Sequence, residues 1–159
     1  MPLYALTISI GTAENCTLRI SDPGTFGIRV RFSCTGCRQG FPKVSLLSLS
    51  DANVEVPGGK GEAKFVAKCA SCKALSSVGV QNVSAGIVGG EGSEDAVKLE
   101  CRGCEPIEFH AGEGFKVCST LSAAEWSASF LQEAEFCEFD EEAGLSIECS
   151  GVGGTWRKV

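Results

Sequence analysis

The sequence predicts an all-β protein, β-sandwich-like in architecture, built as one domain from two related halves, residues 1–88 and 89–159. Apolar and polar residues alternate at period two over many short runs, and Gly- or Asp-rich turns separate those runs. A unit of strand followed by cysteine also recurs along the chain. Tyr4, Leu6, Ile8 and Ile10 share one face of a first strand. Ile28, Val30 and Phe32 do so in a second, with Arg29 and Arg31 on the opposite face. Val44 to Leu49, Val54 to Val56, Val78 to Val83, Val97 to Leu99 and Leu145 to Ile147 read as further strands, with Pro57-Gly58-Gly59 as a turn. Gly86 to Gly92 is glycine-rich but lacks the lysine and flanking helix of a phosphate loop, so it reads as a linker. Ser122 and Glu125 stand at capping-box spacing before Trp126 and Phe130 and predict one short helix. Glu133, Glu135, Glu138, Asp140, Glu141 and Glu142, interleaved with Leu131, Phe136 and Phe139, read as the solvated face of a strand.

At 159 residues, 43% hydrophobic and 21% charged, the chain can bury a core without metal to rescue it. No run approaches the roughly 20 apolar residues that span a bilayer, and Met1 to Ile10 lacks the basic and apolar regions of an export signal. A reducing compartment is therefore expected, cytoplasmic with the nucleus left open, so the ten cysteines should be thiols or metal ligands and not disulfides. The net charge of −6 opposes binding to nucleic acid phosphate. Residues 1–80 carry nine Lys/Arg against five Asp/Glu, while residues 81–159 carry five against fifteen. Two electrically unlike surfaces follow.

Six cysteines form three Cys-x-x-Cys pairs: Cys34/Cys37, Cys69/Cys72 and Cys101/Cys104. Val30-Arg-Phe-Ser-Cys-Thr-Gly-Cys37 matches Val97-Lys-Leu-Glu-Cys-Arg-Gly-Cys104 position by position, and Phe65 to Cys72 has the same layout. Leu145 to Val152 repeats it again, with Val152 where the second cysteine would stand. Two Cys-x-x-Cys turns suit zinc, because each sets two thiolates on one side of a tight turn and together they complete a tetrahedral four-sulfur shell. Cys34, Cys37, Cys69 and Cys72 are thus the expected ligands of one Zn2+, in a closed structural site with no position open for catalysis. Gly36 is expected to allow the tight approach in the first turn, where the second has Ser71. The second set, Cys101, Cys104 and Cys149, lacks a ligand. Cys118, Cys137, His110 or water would have to supply it, and otherwise the site is decayed and its cysteines pack as core.

Thiol-disulfide exchange fits poorly, since these pairs follow strands and not the start of a helix that would depress a thiol pKa. His110 is the only histidine, which excludes multi-histidine metal sites and strains any histidine-based triad; it reads as a surface residue after a strand. No enzyme is expected.

With these motifs in view the chain resembles, nearly end to end, the eukaryotic CXXC motif containing zinc-binding protein family. The likeness is carried by the two spaced Cys-x-x-Cys pairs and by Gly58-Gly59-Lys60-Gly61 leading into Lys68-Cys69. Glu100-Cys-Arg-Gly-Cys-Glu-Pro106, and Leu131-Gln-Glu133 followed by Phe136 and Phe139-Asp-Glu141, complete it. The resemblance implies a mostly β fold with zinc on the four cysteines of the first half, and no reaction. It also implies that Cys104 stands where relatives can carry an apolar residue, which favours the decayed reading of the third pair. The expected function is that of a zinc-stabilised scaffold for another protein, monomeric and away from membranes. Handling of zinc or copper is the alternative, and a nucleic-acid-binding zinc ribbon, prompted by Arg29, Arg31, Arg38 and Lys43, is a further one.

Overall fold

Alternating side chains and frequent turns leave the backbone's N–H and C=O groups to be satisfied between strands. The computed structural model describes residues 2–58 and 61–159; Gly59 and Lys60, in the predicted turn and the glycine-lysine motif, lie outside the described residues, as does Met1. In chain order the strands are β1 (Leu3–Glu14), β2 (Cys16–Ile20), β3 (Ile28–Cys34), β4 (Ser45–Leu47) and β5 (Val54–Glu55). Then come β6 (Glu62–Ala63), β7 (Phe65–Lys68), β8 (Leu75–Val83), β9 (Ile87–Gly89) and β10 (Val97–Arg102). The last five are β11 (Cys104–Phe109), β12 (Phe115–Ser119), β13 (Glu125–Ala128), β14 (Phe136–Asp140) and β15 (Leu145–Lys158). A six-stranded sheet runs β14-β15-β1-β10-β8-β7, beside a three-stranded sheet β11-β3-β4, a four-stranded sheet β13-β12-β2-β9 and the small pair β5-β6.

Corners in left-handed backbone link the sheets. Asn15 (φ 58°) separates β1 from β2, and Gly103 (φ 76°) separates β10 from β11, so each time a nearly continuous strand leaves the large sheet for a smaller one. A Cβ on Gly103 would stand 2.4 Å from the Leu75 carbonyl oxygen, so only glycine fits this corner. Strands from both halves share one sheet. Three strands from before residue 89 (β1, β7, β8) and three from after it (β10, β14, β15) share the large sheet, and β9 with buried Val88 runs through the predicted linker.

The predicted faces are borne out where the pleat decides them. Ile28, Val30 and Phe32 are completely buried, and Tyr4, Leu6 and Ile8 join them in one apolar core with Leu18, Leu99, Phe115 and Ile147. Each such side chain contributes about 1.5–3 kcal/mol over leaving it in water.

The predicted helix is absent. Ser122 spends its hydroxyl on a turn, accepting the Ala124 N–H (3.1 Å) and donating to the Asp140 carboxylate (2.6 Å). Glu125–Ala128 instead pairs with β12, where Glu125 meets Lys116 at 3.2 Å, because ladder bonds and burial of Trp126 outweigh a local capping pattern. Leu131–Glu133, a single 3-10 turn, is the one helical segment among the described residues.

The acidic stretch is only partly a solvated face. Glu138 is exposed, but Asp140 is 1% exposed and accepts hydrogen bonds from the Ser119 and Ser122 hydroxyls (2.6 Å each) and the Ala143 N–H (3.2 Å). The Ser119 hydroxyl first, then that of Ser122, holds this carboxyl below the usual carboxylate range. A depressed acid stabilises the fold above its ordinary pKa, and that contribution is lost as pH falls through the folded value. Asp140→Asn should therefore destabilise the protein at pH 7, and its deficit in urea denaturation should shrink on acidification. A deficit constant with pH would assign the loss to shape and not charge.

Candidate metal centre

β3 and β7 each end in a turn of the same geometry. After β3, the Cys34 N–H donates to the Gln39 carbonyl (2.9 Å) and the Arg38 N–H to the Cys34 carbonyl (2.9 Å). After β7, the Cys69 N–H donates to the Ala74 carbonyl (2.9 Å) and the Lys73 N–H to the Cys69 carbonyl (3.0 Å). Arg38 (φ 66°) and Lys73 (φ 65°) close the two turns in left-handed conformation. Each turn thereby folds its second cysteine back beside its first.

The four predicted ligands meet. Cys34 Sγ lies 3.6 Å from Cys72 Sγ, Cys37 Sγ lies 3.5 Å from Cys69 Sγ, and all four sulfurs fall within 4.8 Å of one another. A tetrahedron with Zn–S bonds of about 2.3 Å has edges of about 3.8 Å, so the arrangement is close to a zinc cage. Cys34 and Cys69 are buried at 0% and 2% exposure, while Cys37 and Cys72 are on the outer side. Beneath them Phe32 stacks on Phe65 with centroids 5.6 Å apart, joining the edge of the large sheet to the three-stranded sheet by apolar contact as well. The Thr35 N–H (3.1 Å) and the Ser76 hydroxyl (3.1 Å) both donate to the Gly103 carbonyl, which braces the first turn against the β10–β11 corner.

Backbone N–H groups favour thiolates here. That of Gln39 pulls the Cys37 thiol down, but the Cys69 sulfur and burial outweigh it and push this thiol up to about 11. The Cys72 N–H, with that of Ser71 and against the cost of burial, brings Cys69 down to about 6. Crowded sulfurs compete for negative charge, and a divalent cation among them removes that competition. The residues suit a soft cation that prefers four thiolates, such as zinc.

The expected role of Gly36 moves elsewhere. A Cβ on Gly36 would make ordinary contacts, 3.6 Å to Cys34 Sγ and 3.8 Å to Cys72 Sγ, which explains why serine serves at position 71. The sequence reading missed Arg38 and Lys73 as the left-handed residues, although a long basic residue directly after the second cysteine of each pair is visible in both units.

The third pair forms no such turn. Cys104 lies opposite Cys34 across β11 and β3, Cys101 lies opposite Val78 across β10 and β8, and both are buried. The two thiols interact: hydrogen bonding to Cys104 and then burial raise Cys101, while Cys101 lowers Cys104. Cys149 turns to another neighbour. Burial first, then Cys16, pushes its thiol up to about 12, and Cys16 donates to the Glu148 carbonyl at 3.2 Å. Cys118 faces Glu125, Cys137 faces Glu148 and His110 faces Glu108, as an exposed residue after β11. Among the described residues the four-cysteine set is the one cluster able to hold a metal ion.

The sequence profile of eukaryotic CXXC motif containing zinc binding proteins matches residues 5–157. The CXXC motif containing zinc binding protein of Homo sapiens is 30% identical over 139 residues, covering 86% of each chain. A UPF0587 protein of Caenorhabditis elegans is 26% identical over 162 residues, covering 100% of this chain and 96% of its own. The crystal structure of C1orf123 superposes with a TM-score of 0.82 at 27% identity over 99% of both chains. A hypothetical protein from Plasmodium falciparum, 18% identical over the whole of both chains, shares the fold with a TM-score of 0.76.

Proposed function

Because the chain belongs to the family of eukaryotic CXXC motif containing zinc binding proteins, we infer that Cys34, Cys37, Cys69 and Cys72 hold one structural zinc ion in a scaffold that binds another protein and catalyses nothing. The observation that carries the zinc assignment is the convergence of four sulfurs within 4.8 Å from two turns of one geometry. Four protein ligands fill the tetrahedral shell and leave no position for substrate or activated water. Bound there, the ion would clamp the end of β3 to the end of β7, so its binding free energy becomes folding free energy for this corner. Residues 1–80 are net basic and residues 81–159 net acidic, so the chain offers a protein partner groups of both signs, and the net charge weighs against nucleic acid. A reducing cytoplasm suits ten unbridged cysteines.

One observation favours a second reading. Cys37 and Cys72 lie on the outer side, where an incoming thiolate could reach the ion, as a zinc or copper carrier would require. Native mass spectrometry of tag-free protein with elemental analysis should find one zinc per chain, held against a mild chelator until the protein unfolds. Rapid exchange without unfolding, or copper in place of zinc, would transfer the function to metal handling. A folded protein with no metal would overturn both readings.

A further inference from the structure

β14 is the outermost strand of the large sheet. One side pairs with β15, from Phe136 opposite Cys149 to Asp140 opposite Leu145; among the described residues, no backbone hydrogen bond between segments is made from its other side. Cys137, Glu138 and Phe139 are consecutively exposed, and Phe139 leaves 55% of its surface in solvent. Natural edges are commonly blunted by charge, proline or a bulge; this one carries the charged Glu138 at its centre and keeps the exposed ring of Phe139 beside it. The strand is also fixed in place. Phe136 packs on Trp126 with centroids 5.9 Å apart, and the Ser119 and Ser122 hydroxyls hold Asp140, so little ordering remains to oppose a partner.

The surrounding charge indicates what kind of partner fits. Between Lys116 and Arg157 the chain has no lysine or arginine and eight acidic residues. Of these Glu125 pairs with Lys116 and Asp140 is buried beneath the Ser119 and Ser122 hydroxyls; the other six form no ion pair with a cationic side chain among the described residues. On the next strands inward Glu14 lies directly opposite Glu148, an arrangement of like charges that costs stability. A single metal ion does not answer this field, since no three of these carboxylates converge among the described residues. Cations spread along an extended chain do.

We propose that the free edge of β14 binds an extended basic segment of another protein as an added strand. Backbone ladder bonds supply the pairing, Phe139 covers an apolar residue of the incoming segment, and the glutamates meet its alternate lysines or arginines. This names the docking surface of the scaffold reading and involves no zinc ligand. The metal content of the protein tests the zinc site separately, so either idea can fail without the other.

The test uses the full, zinc-loaded chain and a fluorescein-labelled decapeptide of alternating lysine and valine, read by fluorescence anisotropy. Saturable binding that weakens with salt, with amide shifts centred on Cys137 to Asp140, is the expected result. The same peptide N-methylated at every backbone amide keeps its charge but has no N–H to donate to the ladder from either edge, and should bind at least tenfold more weakly. Phe139→Ser, at an exposed position that leaves the fold intact by circular dichroism, should cost a similar factor. Equal binding by the methylated peptide, equal binding to the variant, or shifts elsewhere would overturn the proposal. So would dimerisation through β14 in the absence of peptide, which would make a second copy of the chain the occupant.

Discussion

Cys69→Ser should abolish zinc retention, whereas Cys104→Ser should leave one zinc per chain. Cys69 is the deeper ligand of its turn, 2% exposed, and backbone N–H groups already bias it toward the thiolate that the metal needs. A serine hydroxyl would stay protonated and leave a three-sulfur site in water. At free zinc about a thousandfold above Kd, losing the bound state removes about 4 kcal/mol of stability, or roughly 8–16 °C in Tm for a chain of this size. Cys104, though opposite Cys34 across the strands, is not among the four converging sulfurs. Elemental analysis of both purified variants decides the matter, and zinc retained by Cys69→Ser would mean the ligand set is wrong.

Gly103→Ala and Gly36→Ala should differ sharply, although the two glycines occupy the same place in the sequence repeat. At Gly103 an added Cβ collides with the Leu75 carbonyl at 2.4 Å, and φ of 76° is left-handed. Left-handed backbone costs alanine about 1–2 kcal/mol and a core clash a further 1–3 kcal/mol, so a loss of roughly 2–5 kcal/mol is expected. The corner also carries the carbonyl that Thr35 and Ser76 hold, so the damage should reach the metal turn. Gly36→Ala meets only ordinary contacts and should be close to neutral. The urea midpoint at constant slope reads both variants; equal shifts would mean the corner relaxes freely.

These two glycines show what a sequence can and cannot convey. Period-two alternation placed the buried faces of β1 and β3 correctly, because the pleat alone determines which side chains share a face. The two Cys-x-x-Cys pairs identified the four sulfurs that converge, since ligand chemistry constrains spacing tightly. Which glycine is indispensable depends on what passes nearby, and the Leu75 carbonyl is brought to Gly103 only by the pairing of β10 with β8. Ser122 and Glu125 carried a valid local signal that lost to β12, a partner the local pattern does not encode. Cys149 likewise matched Cys101 in the repeat, yet the pairing of β15 with β1 set it beside Cys16.

The pairing of β1 with both β10 and β15 has a consequence for how the protein is made. Ribosomes add about 5–20 residues per second, and β15 begins 131 residues after β1 ends, so β1 waits on the order of 10 s for its second neighbour. Both zinc-ligand turns leave the ribosome within the first half of that interval. The metal corner can therefore assemble first, while the central strand of the large sheet is still exposed, and holdase chaperones that shield apolar strands should engage the nascent chain through β1.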